Sequence, residues 1–238
     1  HPDDAIWSCG GFMAELGQKK AIVRLITFFD GDAAFELTPH TLPLDAQGRQ
    51  DTLPRLRRRE DKGAAGLLKI DRISLKLPDA ALRRANDQWL YPTPRSLKHC
   101  HPHCLSVFLP LMLDHLHPII HPEDIVYGPL GQSSHADHIL VRRAFDRVDC
   151  HKKYLYPEFP YGASGDFAPD QDIINHPVDF DIWFRAASCY ESQIKKYFLT
   201  RDRFEYRLRL FAASRTDRHK NQSPEEHVCR LMSANAAT

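Results

Sequence analysis

Neither sign of charge prevails in this chain of 238 residues: 32 basic and 31 acidic side chains leave a formal net charge of +1. Nucleic acid and anionic membrane surfaces select for a basic excess, so neither is an expected partner. No apolar run is long enough to span a bilayer, which takes about 20 residues. The longest candidate, CLSVFLPLMLDHLHPII, is broken by Pro110, Asp114 and His115. No G-x-G-x-x-G frame occurs, so the Gly10–Gly11 pair reads as close packing of elements and not as a nucleotide phosphate site. There is no internal repeat and no low-complexity tract. No secretion signal is visible, and a chain of this length does not need a disulfide framework. The six cysteines are therefore expected to be mostly reduced thiols of a cytoplasmic protein.

What is present is a chain able to build a core, with 42% hydrophobic residues, and unusually rich in histidine, with fourteen. Histidine is the commonest metal ligand, which raises the expectation of a metal. Residues 6–19 read as a helix, and AIVRLITFF (21–29) as a buried strand. Helical character follows at 52–69 and an alternating strand at 71–77. A helix at 104–117, a strand at 123–129, a helix at 133–148 and a strand at 154–159 come next. Residues 181–199 read as one strong amphipathic helix, and 37–54 as a long loop of the kind that carries function. Strands alternating with helices predict a single α/β domain over 1–238, a three-layer α/β/α Rossmann-like fold with a mostly parallel sheet. Ligands in such folds bind beyond the carboxyl ends of the strands. HPDD should then follow a strand, and none precedes His1 in this sequence, so the first strand is expected to be missing.

Two short stretches carry the chemistry. HPDD places a histidine and an aspartate three apart, able to bend back onto one ion, with Asp3 beside them. GQSSHADH follows a strand and opens a helix, and its His135 and His138 share a helical face. His1, Asp4 and His138 would supply two nitrogens and one oxygen, with one position open, which is the pattern of a catalytic zinc. Such an ion lowers the pKa of water toward about 7, and Asp3 would take the proton. Each stretch also has a bland reading. HPDD can be an ordinary acidic first turn, and SHAD fits a capping box running from Ser134 to Asp137.

The pair HPDD and HADH resembles the LmbE/PIG-L family of zinc-dependent N-deacetylases, which act on N-acetylglucosamine-containing molecules. The resemblance continues through VRLITFFDGDA, RRREDKGAAGLLKI, LPDAALR, HPEDIVYGP and CYESQI, and so covers nearly the whole chain. It implies that His1, Asp4 and His138 hold zinc, with iron(II) able to occupy the same ligands. It makes Asp3 the general base, His135 the group that stabilises the tetrahedral oxyanion, and Asp137 the carboxylate that orients His135. Arg57 and Asp79 match residues that contact substrate phosphate or sugar hydroxyls. The implied partner is a small amino-sugar or glycoconjugate substrate; nothing in the sequence speaks to oligomeric state. Amide hydrolysis does need a nucleophile, a proton shuttle and a positive group facing the oxyanion. This sequence departs from the family at Ala5, where glutamate is usual, at Ala80, where glycine is common, and at Ser133, where some members have tyrosine. Cleavage of a different amide, or sugar binding without catalysis, are the competing expectations.

Three other clusters are read more plainly. HCHPHC (99–104) has metal-ligand residue types, but Pro102 and the single cluster favour a surface loop over a second metal. Trp89 and Tyr91 could stack on a sugar, though aromatics in a proline-rich loop more often pack. RLRRRE (55–60) reads as an exposed helix face from which only Arg57 is singled out.

Overall fold

The computed structural model describes residues 1–31, 52–85, 88–161, 173–213 and 227–234. Among these, the chain runs α1 (Asp4–Gln18), β1 (Arg24–Thr27), α2 (Thr52–Leu68), β2 (Asp71–Ser74), β3 (Arg84–Ala85), β4 (Gln88–Trp89), α3 (Pro102–Leu116) and β5 (Ile125–Pro129). It continues through α4 (Ala136–Arg147), β6 (Lys152–Tyr156), β7 (Ile173–Pro177), α5 (Phe180–Ala187), α6 (Glu191–Phe198), α7 (Arg201–Ala212) and β8 (Val228–Ser233). Short 3-10 turns lie at Ala80–Leu82 and Ser96–Lys98.

The strands form three small sheets. β1 and β2 pair in parallel, β3 and β4 antiparallel, and the third sheet has the order β5–β6–β8–β7. In that sheet β5 and β6 are parallel, while β8 runs antiparallel to both β6 and β7. The fold is thus mixed α/β, and the pairing among described residues is more antiparallel than the alternating pattern predicted. The reason is local: β7 and β8 come late in the chain, outside the strand–helix alternation that sets a parallel sense.

β1 alternates between two apolar clusters, as the period of a strand requires. Leu25 joins the cluster of α1, α2, α5, α6 and α7, and Ile26 packs on that of α3 and α4. Helix α1, which carries the HPDD stretch at its N-terminus, is fixed by a reciprocal exchange with α5. Trp7 Nε1 donates to Ala187 O at 3.0 Å, and Trp183 Nε1 donates to Ile6 O at 2.8 Å. Gly10 and Gly11 permit this approach: a Cβ on Gly10 would lie 2.8 Å from the Trp183 ring, and one on Gly11 2.8 Å from Val178. Close packing is therefore the role of that pair, as expected.

Two sequence readings are corrected here. The single helix expected at 181–199 is two, α5 and α6, broken at Ser188–Tyr190. Tyr190 is fully buried, with its hydroxyl on Asp61, a carboxylate that also accepts from Thr27 Oγ1 at 2.8 Å. A buried carboxylate needs such donors, and satisfying it takes precedence over helical continuity. The cap of α4 is also not the expected one. Ser134 adopts a positive φ of 56°, and His135 takes the N-cap position instead, with Nδ1 accepting from Asp137 N at 3.2 Å. The long loop expected at 37–54 lies outside the described residues as far as residue 51.

Candidate metal centre

The N-terminus of α1, the loop after β2 and the N-terminus of α4 converge on one point. Each is a place where the chain leaves a strand or opens a helix, so polar side chains there do not disturb the core. His1, Asp4 and His138 bring one ligand atom each within 4.8 Å of one another. Asp4 Oδ2 lies 3.1 Å from His1 Nδ1 and 3.2 Å from His138 Nε2. These are the atoms that would face a shared ion.

The outer nitrogens of both histidines are held by carboxylates. His1 Nε2 stands 3.1 Å from Asp137 Oδ2 and 3.2 Å from Asp79 Oδ2. His138 Nδ1 makes a close contact with Glu158 Oε1. Glu158 is itself fixed by two successive backbone donors, Gly131 N and Gln132 N, each 2.6 Å from Oε2. Gly131 makes this possible with φ of +87°, a conformation that most side chains resist. A metal-binding imidazole with its second nitrogen on a carboxylate has a fixed tautomer and a fixed ring direction. Two imidazole nitrogens and one carboxylate oxygen fit Zn2+ or Fe2+.

A second trio, His1, His135 and Asp137, also meets the distance condition. It is the poorer cage. Asp137 is fully buried and already accepts from Ala80 N at 3.0 Å and from the Arg83 guanidinium. A cation there would sit against a fixed positive charge.

The electrostatics follow from this crowding. Burial alone would depress His138, but Asp4 and Glu158 override it and raise its conjugate acid to about 10. Burial likewise opposes the charge on His1, yet Asp79, Asp4 and Asp137 hold it well above the ordinary imidazole value. Asp4 would be raised by burial, and the two histidines instead pull it well below the usual carboxylate range. His135 differs: burial and the neighbouring His1 lower it, and its Nδ1 accepts from the Asp137 amide.

A consequence is measurable without substrate. In the metal-free protein at pH 7, His138 is protonated, so metal uptake must expel that proton. Affinity for Zn2+ is expected to rise with pH, by up to about tenfold per unit for each proton displaced. Calorimetry in buffers of different ionisation enthalpy checks this; an affinity flat between pH 6 and 8 would contradict it. For the metal-free fold the sign is opposite. The raised His138 value gives stability that is fully present below its unfolded value near 6.5 and is lost as pH rises through about 10.

Beside the trio opens a cavity of about 480 Å3, lined by His1, Asp3, Asp4, Arg57, Asp79 and His135 among others. Asp3 is buried, and Arg57 Nη2 donates to its Oδ1 at 2.7 Å. Asp3 Oδ2 has no hydrogen-bond partner among the described residues. Arg57 Nη1 lies 3.7 Å from Asp79 Oδ2. Asp137 stands 3.9 Å from His135 Nδ1, beyond hydrogen-bond reach; its carboxylate turns to His1 instead. Trp89 and Tyr91 do not line this cavity. Tyr91 is buried with its hydroxyl accepting from His101 N, and Trp89 stacks under Arg84. The HCHPHC stretch opens α3, where His101 Nδ1 caps the helix by accepting from His103 N.

The model of the PIG-L family, GlcNAc-PI de-N-acetylase, matches residues 1–148. The chain belongs to the PIG-L family. No curated protein matches it. Among solved structures, the zinc-inhibited form of teicoplanin deacetylase Orf2 is 19% identical with a TM-score of 0.70, over 100% of this chain and 97% of that one. N,N'-diacetylchitobiose deacetylase from Pyrococcus horikoshii is 18% identical with a TM-score of 0.50, over 89% and 74%. The 4-carboxy-2-hydroxymuconate hydratase GalB from Pseudomonas putida KT2440 is 13% identical with a TM-score of 0.59, over 100% and 94%. At these identities the likeness is one of fold, and a fold shared with a hydratase does not settle the reaction.

In this PIG-L family chain, several site residues were not anticipated from sequence. Glu158 is one; an acid just past the end of a strand, here β6, is the signal that could have found it. Tyr161 is another: it lines the cavity with its ring set edge-on to His138 at 6.2 Å. Burial, with Asp4 nearby, pushes its phenol up to about 12, so it keeps its proton. Gln193, Lys196 and Tyr197 of α6 complete that wall.

Proposed function

We propose that this PIG-L family chain is a zinc-dependent hydrolase that removes the N-acetyl group from an N-acetylglucosamine-containing substrate. The observation that carries the reading is the convergence of His1, Asp4 and His138 beside a cavity that also holds Asp3 and His135. Zinc, when bound, supplies the Lewis acidity that makes water a nucleophile near neutral pH. Asp3 takes the proton from the attacking water through Oδ2, the oxygen that Arg57 does not engage, and returns it to the leaving amine nitrogen. His135 donates from Nε2 to the oxygen on which negative charge develops. Arg57 holds Asp3 in place and, with Asp79, offers polar contacts to sugar hydroxyls. Tyr161 and Tyr197, both about half exposed at the cavity wall, offer faces for the sugar ring or its aglycone.

The same reading takes the chain as one domain of three layers. β1 pairs only with β2, and β5 only with β6, among the described residues. Between them runs a groove lined by Leu25, Ile26, Phe28, Tyr127 and Pro129. Arg24 at the start of β1 donates to Asp124 just before β5, which ties the leading ends of the two strands together.

The test is metal analysis of the purified protein together with acetate release from a panel of N-acetylated and longer-acyl amino sugars. One tightly bound divalent ion and acetate release are expected. Release of longer acyl groups alone would point to another amide, a reading that the apolar residues Leu53, Leu82 and Leu97 in the cavity wall favour. Sugar binding by protein that takes up no metal would leave only a binding module.

A further inference from the structure

Arg83 is buried to the point of having no side-chain exposure, and it does not line the cavity. A guanidinium taken out of water costs several kcal/mol unless its donors are matched. Every group around Arg83 answers that need. Its Nε and Nη2 donate to Pro78 O at 3.2 and 3.0 Å, and Nη2 also donates to Asp137 Oδ1. Nη1 reaches Cys104 Sγ at 4.0 Å. The plane is flanked by two rings, with Cζ 4.7 Å from the centre of Phe29 and 4.4 Å from that of Phe108.

These contacts lead to the site by two routes. Pro78 precedes Asp79, so the fork on its carbonyl fixes the loop that brings Asp79 to 3.2 Å from His1. Asp137 carries its other oxygen to His1 Nε2 at 3.1 Å. We propose that Arg83 is a positioning residue: its guanidinium fixes both the Asp137 carboxylate and the Asp79 loop, and through them holds the outer nitrogen of His1 so that the opposite nitrogen faces the metal. The proposal rests on the metal site of the preceding section, not on the identity of the substrate.

A lysine retains the charge but cannot span Pro78 O and Asp137 Oδ1 as a planar fork. Arg83→Lys is therefore expected to bind metal more weakly by roughly tenfold, and Arg83→Met by up to about 100-fold, in the range seen when a ligand's outer partner is lost. With released acetate as readout, kcat should fall by a larger factor than KM rises, since Arg83 does not touch the cavity and reaches the substrate only through the Asp79 loop. The probe for the first measurement is Co2+ titrated into metal-free protein, whose visible absorption reports ligand geometry apart from turnover. The double variant Arg83→Met/Asp137→Asn guards against misfolding, because it leaves no unpaired charge in the interior. It should regain thermal stability without regaining metal affinity. Wild-type Co2+ affinity and spectrum in folded Arg83→Met, or in the double variant, would overturn the proposal. Normal metal binding throughout with no amide cleavage by any form would instead refute the deacetylase reading and also show that Arg83 does not position His1.

Discussion

Asp3→Ala is expected to take up one divalent ion as the wild type does, yet to release acetate about a hundred- to ten-thousand-fold more slowly, the span contributed by a positioned acid–base group. The argument turns on how Asp3 is held. It sits in the N-cap position of α1 but makes no side-chain capping bond there. Its one engaged oxygen accepts from Arg57, and the other has no partner among the described residues. It lies next to Asp4 in sequence without being part of the trio that meets the ligand condition. Removing it should therefore spare metal content and strike proton transfer. Among the described residues Arg57 then keeps the weaker contact to Asp79, at 3.7 Å. Asp3→Asn controls for this, because an amide oxygen still accepts from Arg57 while the basic carboxylate is gone. Metal content by mass spectrometry and acetate release under saturating substrate decide the matter. Wild-type activity in both variants would remove Asp3 from the mechanism.

What sequence could reveal and what it could not divides along one physical line. His1 with Asp4, and His135 with His138, are three residues apart, so local geometry alone makes them neighbours. That the two stretches meet follows from the rule that both stand at strand or helix ends on one edge of the sheet. The partners that orient these groups are different in kind. Glu158 lies 20 residues beyond His138, and Arg83 lies 54 residues before Asp137. Neither contact has a periodicity or spacing that a single sequence displays. The break between α5 and α6 was hidden for the same reason. The amphipathic pattern of 181–199 is continuous, and only the distant Asp61, 129 residues away, explains why Tyr190 leaves the helix. Helix α7 was a more accessible omission: Phe204, Leu208 and Phe211 repeat at helical intervals and are all buried, within a stretch whose many charges mask the signal.

Glu158→Gln carries the second large effect, on metal affinity and not on the proton-transfer step. In the wild type one oxygen of Glu158 receives two backbone N–H groups and the other faces His138 Nδ1. An amide keeps the shape, but its nitrogen brings donors of its own. If the oxygen serves Gly131 and Gln132, the NH2 confronts His138 Nδ1–H; if it turns to His138, the NH2 confronts two N–H groups. Either arrangement leaves buried donors facing donors, which costs more than the lost bond itself. With the carboxylate charge gone, His138 also loses one of the groups that raise its conjugate acid, so its proton leaves at lower pH. The two effects on zinc binding oppose each other. Weaker proton competition favours uptake, and loss of ring orientation disfavours it. The orientation effect should prevail at pH 8, where proton competition is already reduced, with affinity falling by roughly 10- to 100-fold. At pH 6 the deficit should be smaller, because there the wild type has the larger burden of protons to expel. A zinc titration of both proteins at the two pH values reads this directly. A deficit that grows toward low pH would mean that Glu158 acts as a structural anchor for the Gly131 turn and not as the partner that aims His138.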